Sequence, residues 1–510
     1  MRQTCAEWAA QTIDKSLAGA FYRQQCAKDN PHQVAVHALT FKRIRLLHRR
    51  WLSHTPYDES RYLMASQRPA HLCSPASLLR GVDGMTRSMK HSFADFFRRV
   101  ALMSIQKAAG MPSTTDEMAQ PITAADRIHT IDMLRGIALF GVLAVNLVGE
   151  FRVSLFQQFL PATPFLSPLD GAVEHFISLF LEMKAFALFS ILFGVGLAIQ
   201  SERLARSARR LRLLVRRLLV LLAIGLVHLL LIWNGDILTE YALAGLVVLP
   251  FLWLPVWSTA LASFGLLAFY IAMPALSLPI SWPSMLWLQQ HVLEANHVYA
   301  AGSYRQILRF SLGELSQILP LHEFVLPRTL GLFLVGMLAW RSGVLWNPHR
   351  DQSLLLVVLG VGLTLGILLN SPALTQAIAS WGMPAAMVPC LENAAGIFMG
   401  LGYGALVIAL AEFTRARSVL QVFAPLGRMA FTNYLMQSLI FCWVFYGYGL
   451  GYFGRLGAAE TLLFGIIFYA CQMALSAWWL RRYRFGPIEW LWRTLMYGVR
   501  QPMRALATTQ

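Results

Sequence analysis

Ten apolar stretches, each near the length needed to cross a lipid bilayer, constrain this 510-residue chain more than any other feature. A helix needs about 20 apolar residues to span the hydrocarbon core, because it rises only ~1.5 Å per residue. Only helices and closed barrels satisfy all backbone hydrogen bonds in lipid, and uninterrupted apolar runs are typical of helices. The sequence therefore predicts an all-α, polytopic transmembrane bundle of about ten spans. We expect them at 132–149, 176–200, 213–233, 237–254, 257–279, 326–343, 353–370, 386–411, 429–449 and 459–480.

The distribution of charge predicts how this bundle is oriented. Only 14% of the residues are charged, and the net charge is +17, mostly from arginines between the apolar stretches. The segment 203–217 alone contains seven arginines. Because basic loops remain in the cytoplasm, we expect this segment and both termini to be cytoplasmic. The basic composition then reflects a lipid-bilayer partner, not nucleic acid. The longest external loop, 280–325, is expected to lie on the outer surface or to cap the bundle.

Two regions fall outside the spans. Residues 1–120 contain 17 basic and 9 acidic residues and no span, so we expect a basic extension that is disordered or not normally translated. Met103, Met111 and Met118 each offer a start just before the first span. A small amphipathic domain is the alternative, and 501–510 is expected to be a cytoplasmic tail. The six cysteines form no CxxC pair, so neither a metal site nor a disulfide framework is indicated.

Polar residues along the first span predict a substrate-binding stripe. Asp132 and Arg135 are three residues apart and can pair on one helical face. Arg135 and Asn146 are eleven residues apart, which places them on one stripe about 16 Å apart along the axis. Polar groups inside a bilayer are costly, so this pattern favours a site over an inert anchor. The planar fork of Arg135 suits a phosphate, whereas a purely stabilising role at the start of the span is the alternative.

The turn after the third span supplies candidate catalytic residues. His228 precedes the sequence WNGD, in which Asn-Gly predicts a tight turn and Asp236 follows it. Across this hairpin a carboxylate can orient an imidazole as a general base, with Tyr241 one turn further on. The alternative is that Asp236 only caps the next helix. His175, at the outer start of the second span, is a rival catalytic histidine.

Later spans add further polar candidates. Glu392 interrupts the eighth apolar run, and an acid inside a span is either functional or paired with a basic residue. Arg428 lies at the cytoplasmic mouth of the ninth span. Asn433 and Gln437 are four residues apart on one face, where they either bind substrate or form hydrogen bonds between helices.

Two further patterns favour packing and anchoring. Gly194 and Gly196 lie inside the second span, where small residues permit close helix packing. The segment 484–498 begins a helix at Pro487 and carries tryptophans suited to the membrane interface, which predicts a surface helix.

Six ordered blocks of the sequence resemble the YeiB-like family of bacterial inner-membrane proteins, a domain of unknown function. The blocks are DMLRGIALFGVLAVN, KAFALFSILFGVGLAIQ, IGLVHLLLIWNGDILTEYALAG, TLGLFLVGMLAWRSGVL, GRMAFTNYLMQSLI and FGPIEWLWR. The resemblance covers about 127–500, which we assign as the transmembrane domain. It implies a multi-pass protein of the bacterial inner membrane.

This family is similar to the membrane acyltransferases that share a first-helix D-x-x-R-G element, including the acyltransferase-3 and heparan-glucosaminide acetyltransferase types. The acyltransferase-3 proteins have a histidine eleven residues after the arginine, where this chain has Asn146. Asparagine does not titrate, so a catalytic histidine must come from elsewhere, with His228 first and His175 second.

The resemblance implies transfer of an acyl group from a cytoplasmic donor to a cell-envelope or small-molecule acceptor. Acyl-CoA is the candidate co-substrate, and no bound cofactor is implied. Arg135 and Arg428 would attract the donor phosphates, while Asn146, His228 and Asp236 would line the outer half. The alternative is a transporter or flippase in which the same polar residues line a permeation path.

Overall fold

The computed structural model describes residues 129–160 and 167–504, and within these ranges the chain forms helices joined by short loops. The same ranges contain no β-strand, only one isolated bridge between Tyr483 and Arg504. The predicted all-α bundle is therefore confirmed. The expectations for 1–120 and for the end of the tail, 505–510, lie outside the described residues.

The first part of the described chain contains eight α-helices, and a π-helical turn, Leu147–Phe151, directly continues the first of them. These helices are α1 (His129–Asn146), α2 (Pro168–Phe180), α3 (Lys184–Arg203), α4 (Arg210–Leu231), α5 (Leu238–Val248), α6 (Val256–Ala272), α7 (Met285–Ala301) and α8 (Tyr304–Arg341). The remaining helices are α9 (Gln352–Leu369), α10 (Pro372–Ser380), α11 (Met387–Phe413), α12 (Arg417–Leu420), α13 (Ala424–Arg428), α14 (Ala430–Phe445), α15 (Ala458–Leu480) and α16 (Pro487–Tyr497).

The candidate membrane spans agree with the sequence pattern. Eight helical segments of the described chain are long and apolar enough to cross a membrane. Two shorter apolar segments, Leu238–Leu252 and Ala430–Phe445, coincide with the fourth and ninth predicted spans. Each of the ten predicted spans therefore overlaps an apolar helical segment.

Helix α1 lies at the centre of the bundle. In the apolar part of His129–Phe151, 83% of the residues are buried, compared with 17% in α9. The largest apolar cluster joins α1 to α3, α4, α5 and α8. Polar side chains on α1 therefore face protein and internal cavities more than lipid.

The second and sixth predicted spans differ from the helices observed. The second is interrupted between α2 and α3, where Met183 adopts a left-handed backbone with φ 61° and Glu182 lies in the break. The sixth, predicted to begin at residue 326, is the last part of the 38-residue helix α8. Pro320 and Pro327 lie inside this helix. The helix continues through both prolines, although proline usually kinks or ends a helix, so part of the predicted external loop 280–325 is helical and continuous with the sixth span.

Close contacts between helices depend on glycine at particular positions. A Cβ on Gly194 of α3 would lie 2.0 Å from the carbonyl oxygen of Phe333 in α8. A Cβ on Gly427 of α13 would lie 1.9 Å from the carbonyl oxygen of Asp132 in α1. Both neighbours are backbone atoms, which cannot rotate away, so the predicted packing role is confirmed for Gly194. Gly196 instead borders a cavity.

Candidate functional site

The first large cavity, here called the basic cavity, has a volume of about 260 Å³ and lies among α1, α3, α4, α14 and α16. Six arginines and two carboxylates line it: Arg135, Arg203, Arg217, Arg428, Arg484 and Arg493, with Asp132 and Glu489. The excess of guanidinium groups gives this cavity a positive potential that favours an anionic ligand.

Three guanidinium groups converge in this cavity. Those of Arg135 and Arg217 lie 3.6 and 3.8 Å from the position that a Cβ on Gly196 would occupy. Arg217 also interacts electrostatically with Arg135 and with Arg493. Arg135 forms a salt bridge with Asp132 at 3.3 Å, and Arg493 interacts electrostatically with Glu489. Like charges held this close are unfavourable by themselves, so the arrangement is typical of an anion site.

Aromatic rings hold the arginines in place. The Arg217 guanidinium lies 4.7 Å from the centre of the Trp492 ring, and that of Arg493 lies 4.7 Å from the Phe485 ring. Burial lowers the pKa of Arg493; Tyr497 and Glu489 act in the opposite direction, and the nearby Arg203 and Arg135 lower it further. Burial also lowers the pKa of Arg428, an effect that the negative charge of Asp132 partly offsets.

Glu489 connects α16 to the start of α14. Its carboxylate accepts hydrogen bonds from the backbone N–H groups of Phe431 and Thr432, at 2.8 and 3.1 Å, and from the Thr432 hydroxyl. Burial raises the pKa of Glu489, while the hydrogen bonds from Thr432 act in the opposite direction. The carboxylate thus satisfies donors at the first turn of α14. Helix α16 forms a wall of the basic cavity, while Leu491 and Leu495 on the same helix are exposed, so the surface helix stays a prediction.

The second large cavity, here called the acidic cavity, has a volume of about 740 Å³. Six carboxylates and two arginines line it: Glu150, Asp170, Glu174, Glu182, Asp236 and Glu240, with Arg152 and Arg328. Asn146 and His175 also line this cavity. The two ends of the stripe on α1 therefore serve different cavities, with Arg135 in the basic one and Asn146 in the acidic one.

His228 and Asp236 form a buried pair, as the sequence predicted from their positions across the hairpin. Their side chains are 1% and 0% exposed, and the His228 Nδ1 lies 2.8 Å from the Asp236 Oδ1. The other oxygen, Oδ2, accepts a hydrogen bond of 2.7 Å from the backbone N–H of Thr239 in α5. Asp236 therefore caps the helix and contacts the imidazole at once. The His228 Nε2 is buried and has no hydrogen-bond partner within the part of the chain that the structure describes.

The pair forms part of the wall between the two cavities. The ring of Tyr434, which lines the basic cavity, lies 5.4 Å from the His228 ring. Asp236 lines the acidic cavity, and Ile237 lines both. His228 itself lines neither. The imidazole is thus enclosed by protein. Tyr434 lies between it and the basic cavity, and Asp236 lies between it and the acidic cavity.

Two other candidates from this part of the sequence lie apart from the pair. Tyr241 lines the basic cavity, and its hydroxyl bonds to the Ser190 hydroxyl at 2.7 Å and to the Phe186 carbonyl at 3.3 Å. It forms no hydrogen bond with His228 or Asp236. His175 is an exposed residue on the wall of the acidic cavity.

Of the later polar candidates, Arg428 lines the basic cavity, whereas Glu392, Asn433 and Gln437 line neither cavity. Asn433 donates to the Ser476 hydroxyl at 3.0 Å, and Gln437 donates to the Gln472 carbonyl oxygen at 2.8 Å. These bonds join α14 to α15, which agrees with the helix-packing interpretation. Glu392 is exposed and interacts electrostatically with Lys184, so the basic-partner alternative describes it better than a cavity site does.

A second polar network near the turn was not found from the sequence. The Glu314 carboxylate in α8 contacts His291 Nε2 at 2.6 Å and accepts hydrogen bonds from Asn234 at 2.5 Å and from the Tyr299 hydroxyl. Burial raises the pKa of Tyr299 well above its ordinary value, which keeps this hydroxyl protonated as a donor. The network fixes the turn that carries Asp236. No cluster of three or more metal-ligating side chains occurs within 129–160 and 167–504.

Comparison with known proteins identifies relatives along most of the chain. A family model described as "Protein of unknown function (DUF418)" matches residues 339–499. The "Uncharacterized protein YxaH" of Bacillus subtilis (strain 168) is 35% identical over 408 residues, which cover 75% of this chain and 98% of that protein. The "Uncharacterized protein YeiB" of Escherichia coli (strain K12) is 30% identical over 386 residues, with coverage of 72% and 96%. The "Uncharacterized 39.9 kDa protein in amylase 3'region" of Bacillus acidopullulyticus is 28% identical over 387 residues.

Proposed function

This chain belongs to the YeiB-like DUF418 family of membrane proteins, and we propose that it is an acyltransferase whose two cavities bind the two substrates. The observation that carries the proposal is the buried His228–Asp236 pair, whose Nε2 has no partner and which lies between a basic and an acidic cavity. A carboxylate-oriented imidazole with a free nitrogen is suited to act as a general base.

The basic cavity supports a donor that carries phosphates. Arg135, Arg217 and Arg493 interact with one another and have few bonded carboxylates, so a phosphate would relieve their repulsion. The planar guanidinium group binds phosphate oxygens in pairs, which a lysine cannot do. Acyl-CoA, a thioester with several phosphates, fits this requirement.

The reaction then follows from the position of the imidazole. Asp236 holds the proton on the Nδ1 of His228 and leaves the lone pair of Nε2 available. The Nε2 takes a proton from the acceptor hydroxyl or amine while the acceptor attacks the thioester carbonyl. The new bond to the acyl carbon forms, the carbon–sulfur bond breaks, and the departing thiolate receives the proton from His228. The Tyr434 ring must move for the thioester to reach Nε2, because His228 lines neither cavity.

The orientation belongs to the same proposal. Arg203 and Arg217, at the two ends of the basic segment 203–217, line the basic cavity. The preference of arginine for the cytoplasmic side would place this cavity inside the cell and the acidic cavity outside. A protein of the bacterial inner membrane with both termini in the cytoplasm would then transfer the acyl group to an envelope or external acceptor.

The test is cleavage of acetyl-CoA by the purified protein in detergent, with water in place of the acceptor hydroxyl taking the acetyl group, followed as release of free thiol. Wild-type protein should release thiol, and His228→Gln should reduce the rate by at least about 10²-fold. His175→Gln is tested beside it, because His175 is the rival histidine and lines the acidic cavity; loss of activity in His175→Gln alone would move the assignment to His175. Equal rates in wild type and His228→Gln, with coenzyme A still bound, would refute the assignment.

One observation favours a transporter or flippase as the second candidate. The two cavities share Ile237 and are separated only by enclosed side chains, which is also the arrangement of an occluded transport path. A transporter would move its solute across sealed vesicles without cleaving a bond. His228-dependent thiol release in detergent, where no compartments exist, would favour the acyltransferase.

A further inference from the structure

Two carboxylates of the acidic cavity have no hydrogen-bond partner among the described residues. The other four are engaged: Asp170 by Ser167 and the Ala459 N–H, Glu174 by Arg152, Asp236 by His228 and Thr239, and Glu240 by Thr329 and His322. Glu150 and Glu182 remain, and both line the cavity. Both carboxyl groups therefore have acceptor oxygens that the hydrogen-bond donors around the acidic cavity do not satisfy.

Glu150 and Glu182 lie close together and close to the turn that carries Asp236. Their charges interact with each other. A Cβ on Gly235 would lie 2.7 Å from the Oε2 of Glu150, so this carboxylate is adjacent to the turn. Two neighbouring carboxylates in an enclosed space repel each other, and a cation bound between them removes that cost.

Asn146 gives a second, independent sign of a ligand. Its Oδ1 is buried and has no hydrogen-bond partner, and the residue is only 6% exposed while lining the same cavity. It lies four residues before Glu150, at the end of α1. The amide oxygen is purely an acceptor, so it requires a donor such as an N–H or O–H group.

The basic groups around this cavity do not supply that donor. Arg152 is bonded to Glu174 at 2.6 Å, and Arg328 lies 5.7 Å from the centre of the Tyr270 ring. Lys184 interacts electrostatically with Glu182, but its ammonium group donates to the Ser178 carbonyl at 2.8 Å. Glu150 and the Asn146 oxygen thus have neither an ion-pair nor a hydrogen-bond partner in this part of the chain.

We propose that the acidic cavity binds an organic cation, a molecule with an ammonium group held by Glu150, Glu182 and Asn146. This inference rests on the proposed function, because a hydroxyl group on the same molecule would be the acyl acceptor beside the His228–Asp236 pair. The hydroxyl would lose its proton to the His228 Nε2 and form the ester bond as the carbon–sulfur bond of the donor breaks. The released thiolate would then take that proton. An anionic acceptor, such as a phosphorylated sugar, would be repelled.

The experiment measures binding to the purified full chain without any turnover. Ethanolamine and 3-aminopropanol, whose ammonium groups carry N–H donors, are the cationic probes, and ethylene glycol is the neutral probe of similar size. We expect the cations to raise the melting temperature in a saturable manner and ethylene glycol to have no such effect. The double variant Glu150→Gln, Glu182→Gln should weaken cation binding by at least about tenfold, because the isosteric amides keep the shape and lose the charge. Glu323→Gln, at an exposed carboxylate that does not line the cavity, is the matched control.

The outcomes separate this inference from the proposed function. Coenzyme A binding by the double variant would show that it is folded. No response to either cation, an equal response to ethylene glycol, or unchanged binding in the folded double variant would each overturn the cation site. Cation binding that survives in His228→Gln without any thiol release in wild type would support the site and refute the acyltransferase. Thiol release that depends on His228, without cation binding, would support the acyltransferase and refute the cation site.

Discussion

Replacing Asp236 by asparagine should separate its role as a helix cap from its role beside the imidazole. In the structure one carboxylate oxygen accepts from the Thr239 N–H at 2.7 Å, and the other lies 2.8 Å from the His228 Nδ1. The asparagine carbonyl can keep the first bond. Its amide group, however, donates to Nδ1, which moves the imidazole proton to Nε2 and removes the base.

The expected magnitudes differ between stability and activity. Asp236→Asn keeps two hydrogen bonds, so its free energy of unfolding should change by less than about 1 kcal/mol. Its turnover should fall by about 10⁴-fold, as expected when a buried base is held in the wrong tautomer. Asp236→Ala removes the cap, at about 0.5–2 kcal/mol, and leaves a buried imidazole group unsatisfied, at about 1–3 kcal/mol. Together these give a loss of roughly 1.5–5 kcal/mol.

The assay combines thermal unfolding in detergent with thiol release from acetyl-CoA. Asp236→Asn should unfold near the wild-type temperature and be inactive, whereas Asp236→Ala should be both inactive and less stable. An active Asp236→Asn would refute the reasoning, because it would show that the tautomer of His228 does not matter. Equal destabilisation by both substitutions would refute the hydrogen-bond geometry instead.

Three further results follow from the packing, the basic cavity and the charge distribution. Gly194→Ala should lower the free energy of unfolding by about 1–3 kcal/mol, because its methyl group meets a carbonyl oxygen. Gly196→Ala should change that free energy by less than about 0.5 kcal/mol, and equal melting temperatures of the two variants would contradict this. Arg135→Lys keeps the charge but loses the fork, so coenzyme A should bind at least about tenfold more weakly by calorimetry, and wild-type affinity would exclude a phosphate contact. In a cysteine-free background, a cysteine at Glu294 should react with an impermeant thiol reagent on spheroplasts and one at Ala208 should not; the reverse pattern would invert the proposed orientation.

The sequence by itself determined the helical architecture. Apolar runs of about 20 residues can satisfy their backbone in lipid only as helices, so the ten predicted spans and the ten apolar segments agree. The pairing of His228 with Asp236 was also predictable, because the short segment between α4 and α5 keeps two residues that are close in sequence in the same place, although Asn234-Gly235 forms a bend and not a tight turn. Gly194 was predictable as a packing residue from its place inside a span, but its partner, the Phe333 carbonyl in α8, was not.

Only the tertiary structure decided which polar residues share a cavity. Arg493 lies 358 positions after Arg135, yet both line the basic cavity because α16 folds back against α4. Glu314 reaches Asn234 across 80 positions, and the helix that carries it includes prolines that predict a break. Asn433 and Gln437 were as plausible a substrate-binding stripe as the polar residues of α1, but α15 supplies their hydrogen-bond partners. A local pattern fixes the face on which a side chain lies, whereas the partner on that face is supplied by distant segments of the chain.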